Sequence, residues 1–150
     1  MLREASLIDI NKIVELKLKM FEESGHMNLL SKDAYEIILN KYTSLYKDGI
    51  AQHFVIQDKS EIIACAGAFL KNDLPYSFYI QPVYGFVGDV YTYPKHRHKG
   101  YARLLMKEVI SWLKIKRVDT IRLLATPQAR HMYKELGFKA TDEMVLSLED

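Results

Sequence analysis

The stretch "VYTYPKHRHKGYARLLM", residues 90–106, joins the end of a predicted strand to the start of a predicted helix. Pro94 has no backbone N–H to offer a sheet and ends the strand that precedes it. From Tyr101 onward, apolar residues recur at spacings of three and four, which predicts a helix with one buried face. Four fixed positive charges surround the junction: Lys95, Arg97, Lys99 and Arg103. The stretch therefore predicts a strand, a cationic turn and an amphipathic helix in direct succession.

That turn has the chemistry of an anion site. The first four N–H groups of a helix have no partner within the helix, and the macrodipole adds about half a positive charge there. Gly100 would let a ligand approach the backbone without meeting a Cβ. Taken alone, the turn also fits a solvated basic loop, the commoner outcome for a run of charges. The other phosphate signatures, GxxxxGK[ST] and GxGxxG, are absent from the sequence.

The rest of the chain supplies a regular alternation of elements. The predicted order is a strand, two helices, three strands, the helix described above, a strand, a helix and two final strands. The final strands are "FKAT" at 138–141 and "MVLSL" at 144–148. No linker or repeat divides the sequence, so we expect a single domain over residues 1–150. The order predicts an α/β (α+β) fold, with about seven strands in a mixed sheet and about four helices on both of its faces.

Composition narrows the function classes. The chain has 21 Lys and Arg residues and 19 Asp and Glu residues, so its net charge is 21 − 19 = +2. This charge is too small to predict binding to nucleic acid or to an anionic membrane. The longest apolar stretch, "IIACAGAFL" at 62–70, is about half the length that spans a bilayer. The single cysteine, Cys65, cannot form an internal disulfide, which agrees with a reducing compartment. We therefore expect a cytoplasmic protein that binds neither nucleic acid nor membrane.

The second half of the chain closely resembles the GNAT superfamily of acetyl-CoA-dependent N-acetyltransferases. The core Arg97-x-x-Gly100-x-Ala102 is similar to the family's pyrophosphate motif, which reads Gln or Arg, two residues, Gly, one residue, then Gly or Ala. "LLATPQARHMYKELGF" at 123–138 is similar to the family's later strand, helix and Gly-Phe turn. The resemblance covers residues 84–138 in order, spacing and structural context. It implies that acetyl-CoA is the cosubstrate and that no metal takes part.

The resemblance also implies which residues hold the cofactor. Backbone amides from 98 to 102 would cradle the pyrophosphate, main-chain groups of the preceding strand would bind the pantetheine arm, and basic side chains would assist. Thr126 stands where the family often has an Asn that bonds to the cofactor. The implied cofactor-binding residues are Val90, Thr92, Arg97, His98, Lys99, Gly100, Tyr101, Ala102, Arg103 and Thr126.

Acetyl transfer to an amine requires a proton donor for the departing thiolate. A thiol has a pKa of about 8.5 and a phenol one of about 10, so a nearby tyrosine can donate a proton or a hydrogen bond. Tyr133 occupies the family's usual acid position, and the resemblance implies that it is catalytic. Helical periodicity without the motif would instead make Tyr133 a core residue.

The amine must also lose a proton, because an amine of pKa about 10.4 is mostly protonated at pH 7. Asp89 is the one carboxylate in the strand "YGFVGDVYTY" at 84–93, where family members often place an acid. We predict Asp89 as the general base, with burial raising its pKa towards a useful range. The alternative is a structural carboxylate that bonds the backbone or a tyrosine, because alternation could turn its side chain to either face.

The resemblance implies an amine acceptor and leaves open whether it is a small molecule or a protein; it also leaves a homodimer open, because dimers are common in the family. Two other classes of protein stay open at this stage. One is a non-catalytic acyl-CoA-binding or regulatory module, and the other is a basic-patch nucleic-acid binder. His96 and His98 lack a third ligand nearby, which disfavours a metal site. For Glu22 and Glu23, a solvated helix end is favoured over a role in recruiting a cationic acceptor.

Overall fold

The computed structural model describes residues 1–27, 30–74 and 81–148. Within these ranges it contains five strands and four α-helices. No helix in the described ranges is both long enough and apolar enough to cross a bilayer. In chain order the elements are β1 Leu2–Glu4, α1 Ile10–Glu23, α2 Ala34–Lys47, β2 Ala51–Asp58, β3 Glu61–Asn72, β4 Val83–Thr92, α3 Tyr101–Ile115, β5 Ile121–Leu123 and α4 Arg130–Glu135. The helix predicted from Tyr101 begins at that residue.

The strands form one mixed sheet in the order β1-β2-β3-β4-β5. The first three pairings are antiparallel, and β4 and β5 run parallel. The parallel pairing extends only from Gly85 opposite Ile121 to Val87 opposite Leu123. The pairing stops at Val87 because β5 ends at Leu123, so within the described residues the second half of β4, residues 88–92, has a free edge on the β5 side.

Apolar side chains cover both faces of the sheet. One core packs α1 and α2 onto the sheet and includes Ile13, Val14 and Leu16. The other packs α3 and α4 onto the opposite face and includes Leu105, Val109 and Leu113. Alternate residues of β2 and β3 belong to the two cores, as expected for strands that are covered on both sides. Four helices on both faces therefore agree with the prediction.

The predicted seven strands are not confirmed. Residues 138–148, which include the predicted strands at 138–141 and 144–148, carry no helix or strand. Phe138 packs on the core under α3 and α4, but the apolar side chains from residue 144 onward face solvent, with Met144 93% and Leu148 88% exposed. A strand needs both a hydrogen-bonded neighbour and a covered face, and neither is present for the described part of this segment. An ion pair between Arg122 of β5 and Glu143, with N and O 2.8 Å apart, ties the segment to the sheet.

Candidate active site

A β-bulge in β4 reverses the direction in which the backbone N–H groups of its second half point. Gly88 pairs with Gly67 and Tyr91 pairs with Cys65, so two residues of β4 stand opposite one residue of β3. Before the bulge, the N–H of Gly85 points towards β5 and donates to Thr120 O at 2.9 Å. Strict alternation would point Tyr93 in the same direction, yet its N–H donates to Ile63 O of β3 at 3.1 Å. Because of the extra residue, the backbone N–H groups of Val90 and Thr92 point to the free edge, and those of Tyr91 and Tyr93 point to β3.

The turn after β4 is shaped by two residues in left-handed conformation. His98 has φ +64° and Gly100 has φ +80°, and Gly100 is the N-cap of α3. Alternation of left-handed and right-handed residues gathers successive N–H groups into a concave anion-binding surface. A Cβ at Gly100 would meet nothing within 4 Å, so the space above this backbone is open. His98, Lys99 and Gly100 are exposed, and Tyr101, Ala102 and Arg103 are half-buried.

Two of the four cations at this turn are already bound to carboxylates. Arg97 contacts Glu23 at 2.7 Å, and Arg103 contacts Glu135 at 2.5 Å. The pair between Arg103 and Glu135 fastens α4 to the first turn of α3. The other two cations, Lys95 and Lys99, are exposed residues. Among the described residues, no three His, Cys, Asp or Glu side chains gather into a metal site.

Asp89 lies at the bulge and is the centre of a buried polar cluster. Its own φ is +57°, a conformation that Asp adopts more readily than most residues. The carboxylate accepts Lys17 Nζ on Oδ1 at 2.5 Å, and it accepts Tyr42 Oη at 2.5 Å and His53 Nε2 at 2.8 Å on Oδ2. His53 Nδ1 is 2.7 Å from Tyr46 Oη. The bulge has thus turned Asp89 towards α1 and α2 and away from the α3 face, where Val87 lies.

The sequence predicted a raised pKa for Asp89, and this prediction is wrong, because the pKa is lowered overall. Burial does raise it, since the carboxylate side chain is 1% exposed. The hydrogen bond from His53 and the charges of His53 and Lys17 together outweigh burial and hold the pKa of Asp89 well below its ordinary value. Asp89 is therefore an ionised, fully paired carboxylate. Its role as general base stays a prediction.

Cys65 lies beside this cluster and donates its S–H to the carbonyl oxygen of Asp89 at 3.1 Å. The residue is fully buried, and burial raises the pKa of its thiol above the ordinary value. A protonated, enclosed thiol is a poor nucleophile. This environment disfavours a route in which Cys65 carries the acetyl group.

Gly67 makes room for the Asp89 cluster, and replacing it should destabilise the fold. A Cβ there would lie 2.7 Å from His53 Nε2 and 2.9 Å from the Phe69 ring, so His53 would have to leave Asp89. We expect Gly67→Ala to lower the free energy of unfolding by about 2–4 kcal/mol, measured by denaturant titration. Gly88→Ala is the matched control, because its nearest neighbour, the same Phe69 ring, is 3.3 Å away and needs to shift by only a few tenths of an ångström. Equal losses in the two variants would contradict this account.

Tyr133 is placed by the way α4 ends. Gly137, with φ +102°, follows the helix; its N–H donates to Lys134 O, and the N–H of Phe138 donates to Tyr133 O. These two bonds define a Schellman motif, which brings the residue after the glycine against the last turn of the helix. The rings of Tyr133 and Phe138 accordingly meet edge to face with centroids 5.9 Å apart. The Gly-Phe turn that the resemblance implies is found at Gly137 and Phe138.

The Tyr133 ring is buried but its hydroxyl is not enclosed. The residue is 6% exposed and belongs to the core under α3 and α4. Within the described ranges, every fully buried side-chain oxygen or nitrogen has a hydrogen-bond partner, and the Tyr133 hydroxyl has none. Its oxygen must therefore reach solvent. Burial of the ring raises the pKa of the phenol, so it stays protonated at neutral pH.

Comparisons with known proteins agree with this geometry. Residues 12–138 match the model of the acetyltransferase (GNAT) family, so the chain belongs to that family. A relative described as an uncharacterized N-acetyltransferase, ycf52, from Gracilaria tenuistipitata var. liui is 36% identical over 52 residues. Those residues are 35% of this chain and 29% of the relative, so the match spans less than a third of that protein's length.

Solved structures share the fold across nearly the whole chain. A predicted acetyltransferase from Clostridium acetobutylicum, determined with acetyl-CoA, has a TM-score of 0.88 and 21% identity over 98% of this chain and 94% of its own. The aminoglycoside 6'-N-acetyltransferase AAC(6')-IG from Acinetobacter haemolyticus has a TM-score of 0.72 and 20% identity over 100% of this chain and 98% of its own. At these identities the likeness establishes the fold alone.

Sequence reasoning found the turn, Asp89 and Tyr133, but not the side chains that hold Asp89. Lys17, Tyr42 and His53 come from three different elements, and no local spacing connects them to β4. The available signal was composition, since His53 directly precedes the apolar run Phe54, Val55 and Ile56 in β2. Thr126 lies before α4, where its carbonyl oxygen accepts the N–H groups of Ala129 and Arg130 at 3.1 Å each. A cofactor bond to Thr126 stays a prediction.

Proposed function

We propose that this protein transfers the acetyl group of acetyl-CoA to a primary amine by direct attack in a ternary complex. The observation that carries the proposal is the free edge of β4 and the turn that follows it. The bulge at Asp89 directs the amides of Val90 and Thr92 to the free edge beyond the end of β5, and this edge leads into the turn at 97–100 with its two left-handed residues. A pantetheine chain that ends in a pyrophosphate matches this succession of an open strand edge and an anion-binding turn.

When bound, acetyl-CoA supplies the reactive thioester, and the chain's own residues would position it. The N–H groups of Val90 and Thr92 would bond the amide groups of the pantetheine arm. Amides of the turn from His98 to Ala102 would hold the phosphates, with Lys95 and Lys99 adding attraction. Gly100 is essential to this arrangement because it combines a left-handed conformation with unobstructed space.

Tyr133 would donate a proton or hydrogen bond to the departing thiolate. Its phenol stays protonated because burial raises its pKa, and its oxygen reaches solvent while its ring is fixed. The pair between Arg103 and Glu135 supports this role, because it holds α4 against the helix that begins at the phosphate turn. The enclosed state of Cys65 supports direct transfer over an acetylated enzyme.

Deprotonation of the amine is the second chemical requirement. At pH 7 about one amine in 2,500 of pKa 10.4 is neutral, so removal of its proton would limit the rate without assistance. Asp89 is kept as the proposed base, and its buried, paired oxygens require that a water molecule or a cluster neighbour conveys the proton to it. A small-molecule amine acceptor is favoured by the shared fold with an aminoglycoside acetyltransferase. A protein amine, a homodimeric state and a cytoplasmic location stay predictions from the sequence.

The test has two stages. Calorimetry with the whole chain should show acetyl-CoA binding with micromolar affinity. Thiol release is then followed with a panel that contains a polyamine, an amino acid, an aminoglycoside and a lysine peptide, with acetyl-CoA alone as the blank. Amine-dependent thiol release would support the proposal. Binding without release by any amine would favour the acyl-CoA-binding module, and absence of binding would reject the cofactor site.

A further inference from the structure

The arginine that opens the phosphate motif is held by groups outside the motif. Arg97 Nε donates to the carbonyl oxygen of Thr92 at 2.8 Å, a bond that closes the turn between the end of β4 and the start of the motif. A terminal nitrogen of the same guanidinium donates to Glu23 Oε2 at 2.7 Å. The guanidinium also lies over the Tyr91 ring, 5.5 Å from its centroid. Two directed bonds and one stacked face together fix its orientation.

Glu23 is the last residue of α1 and has no role in the motif itself. Its other oxygen, Oε1, accepts the hydroxyl of Tyr91, the residue next to Thr92 on β4. Both carboxylate oxygens are thus bound, one to β4 and one to the turn that follows it. The hydrogen bonds from Arg97 and Tyr91 hold the pKa of Glu23 below its ordinary value, so the carboxylate is ionised at neutral pH.

We infer that Glu23 is a positioning residue for coenzyme A, which it never touches, and that it acts by holding Arg97 in the orientation that closes the turn. This inference rests on the proposed coenzyme A site. Without Glu23, the Arg97 side chain loses the anchor that keeps Nε on the Thr92 carbonyl. The turn at 97–100 then samples conformations in which its N–H groups no longer converge, and the phosphates bind more weakly.

The direction in which coenzyme A affinity changes when Glu23 is replaced distinguishes a positioning role from simple charge repulsion. A carboxylate near a bound polyanion repels it, so removing the charge of Glu23 should tighten binding if charge alone mattered. A positioning role predicts the opposite, namely weaker binding although a negative charge has been removed. A purely structural role in the fold predicts a third result, lower thermal stability with unchanged affinity.

The experiment measures coenzyme A binding by calorimetry at low and physiological ionic strength, with thermal unfolding of each variant as the check of folding. We expect Glu23→Gln to raise Kd about 5- to 10-fold, which corresponds to about 1–1.4 kcal/mol. The matched control is Glu22→Gln, which removes the same charge at the neighbouring position. The Glu22 side chain is 63% exposed, and its one ion-pair partner in the described part of the chain is Lys19. This control should bind as the wild type does or slightly more tightly.

A double-mutant cycle identifies the partner through which Glu23 acts. In an Arg97→Ala background, Glu23→Gln should no longer weaken binding, since the group that it positions is absent. Unchanged or tighter binding by Glu23→Gln, or equal weakening with and without Arg97, would overturn the inference. If the wild type does not bind coenzyme A, the proposed function is overturned, and this inference with it. A Tyr91→Phe variant should give an intermediate Kd, because Glu23 then keeps Arg97 but loses its own anchor.

Discussion

Replacing Gly100 with valine should raise the Kd for acetyl-CoA at least 100-fold while the protein stays folded. Gly100 has φ +80°, and the space that its missing side chain leaves is open. A branched side chain would occupy the position from which a phosphate approaches the backbone, and the left-handed conformation would become strained. The loss is large because the amides of the turn act together on one ligand. Calorimetry with acetyl-CoA measures it directly.

The chain contains a control with the same backbone strain. Gly49, in the turn between α2 and β2, has φ +70°, and a Cβ added there would likewise meet nothing within 4 Å. Gly49→Val and Gly100→Val should both lower the free energy of unfolding by about 1–2 kcal/mol. Only Gly100→Val should lose acetyl-CoA. Similar affinities for the two variants would show that the turn before α3 does not hold the cofactor.

The second large effect is expected for Tyr133→Phe. We expect kcat to fall about 100-fold, the lower end of what a positioned proton donor contributes, with the KM for acetyl-CoA unchanged. The phenylalanine ring keeps the contact with Phe138 and the packing under α3, so only the hydroxyl is lost. Because burial raises the pKa of Tyr133, any decline of the wild-type kcat from ionisation of this phenol should come at a higher pH than the pH at which a free tyrosine ionises. Steady-state thiol release over a range of pH values measures both quantities.

Tyr35→Phe is the corresponding control for a hydroxyl outside the proposed site. Tyr35 Oη donates to Asn11 on the surface between α1 and α2, at 3.1 Å. Its removal should leave kcat within about twofold of the wild type, since a surface substitution changes little. A Tyr133→Phe enzyme with the kcat of the wild type would make Tyr133 a core residue and would require another donor for the thiolate.

Local patterns predicted the parts of the fold that local forces determine. The apolar period from Tyr101 placed the start of α3 at that residue, and the resemblance implied the Gly-Phe turn that fixes Tyr133. The predicted strand at 84–93 was found at Val83–Thr92. In each case the residues that predict the element lie within it or directly beside it, so a short stretch of sequence is enough to predict it.

The parts that failed depend on contacts between distant residues. Alternation cannot reveal the bulge, because Asp89 takes a positive φ only where Lys17, Tyr42 and His53 hold its carboxylate. Asp89 therefore has a lowered pKa, although burial alone predicts a raised one. The segment "MVLSL" has a strand-like composition, but a strand also needs a neighbour and a covered face, which composition does not report.

The bulge makes the length of β4 as important as its composition. Deleting Asp89 would restore strict alternation across the strand. Tyr91 would still pair with Cys65, so the amides of Val90 and Thr92 would stay at the free edge and the side chains beyond the deletion would keep their helix layers. A family member that lacks the extra residue would thus present the same edge to its cofactor without the buried carboxylate that Lys17, Tyr42 and His53 hold. A deletion at this point of the strand therefore separates the cofactor edge from the carboxylate cluster, which a substitution elsewhere in the strand does not do.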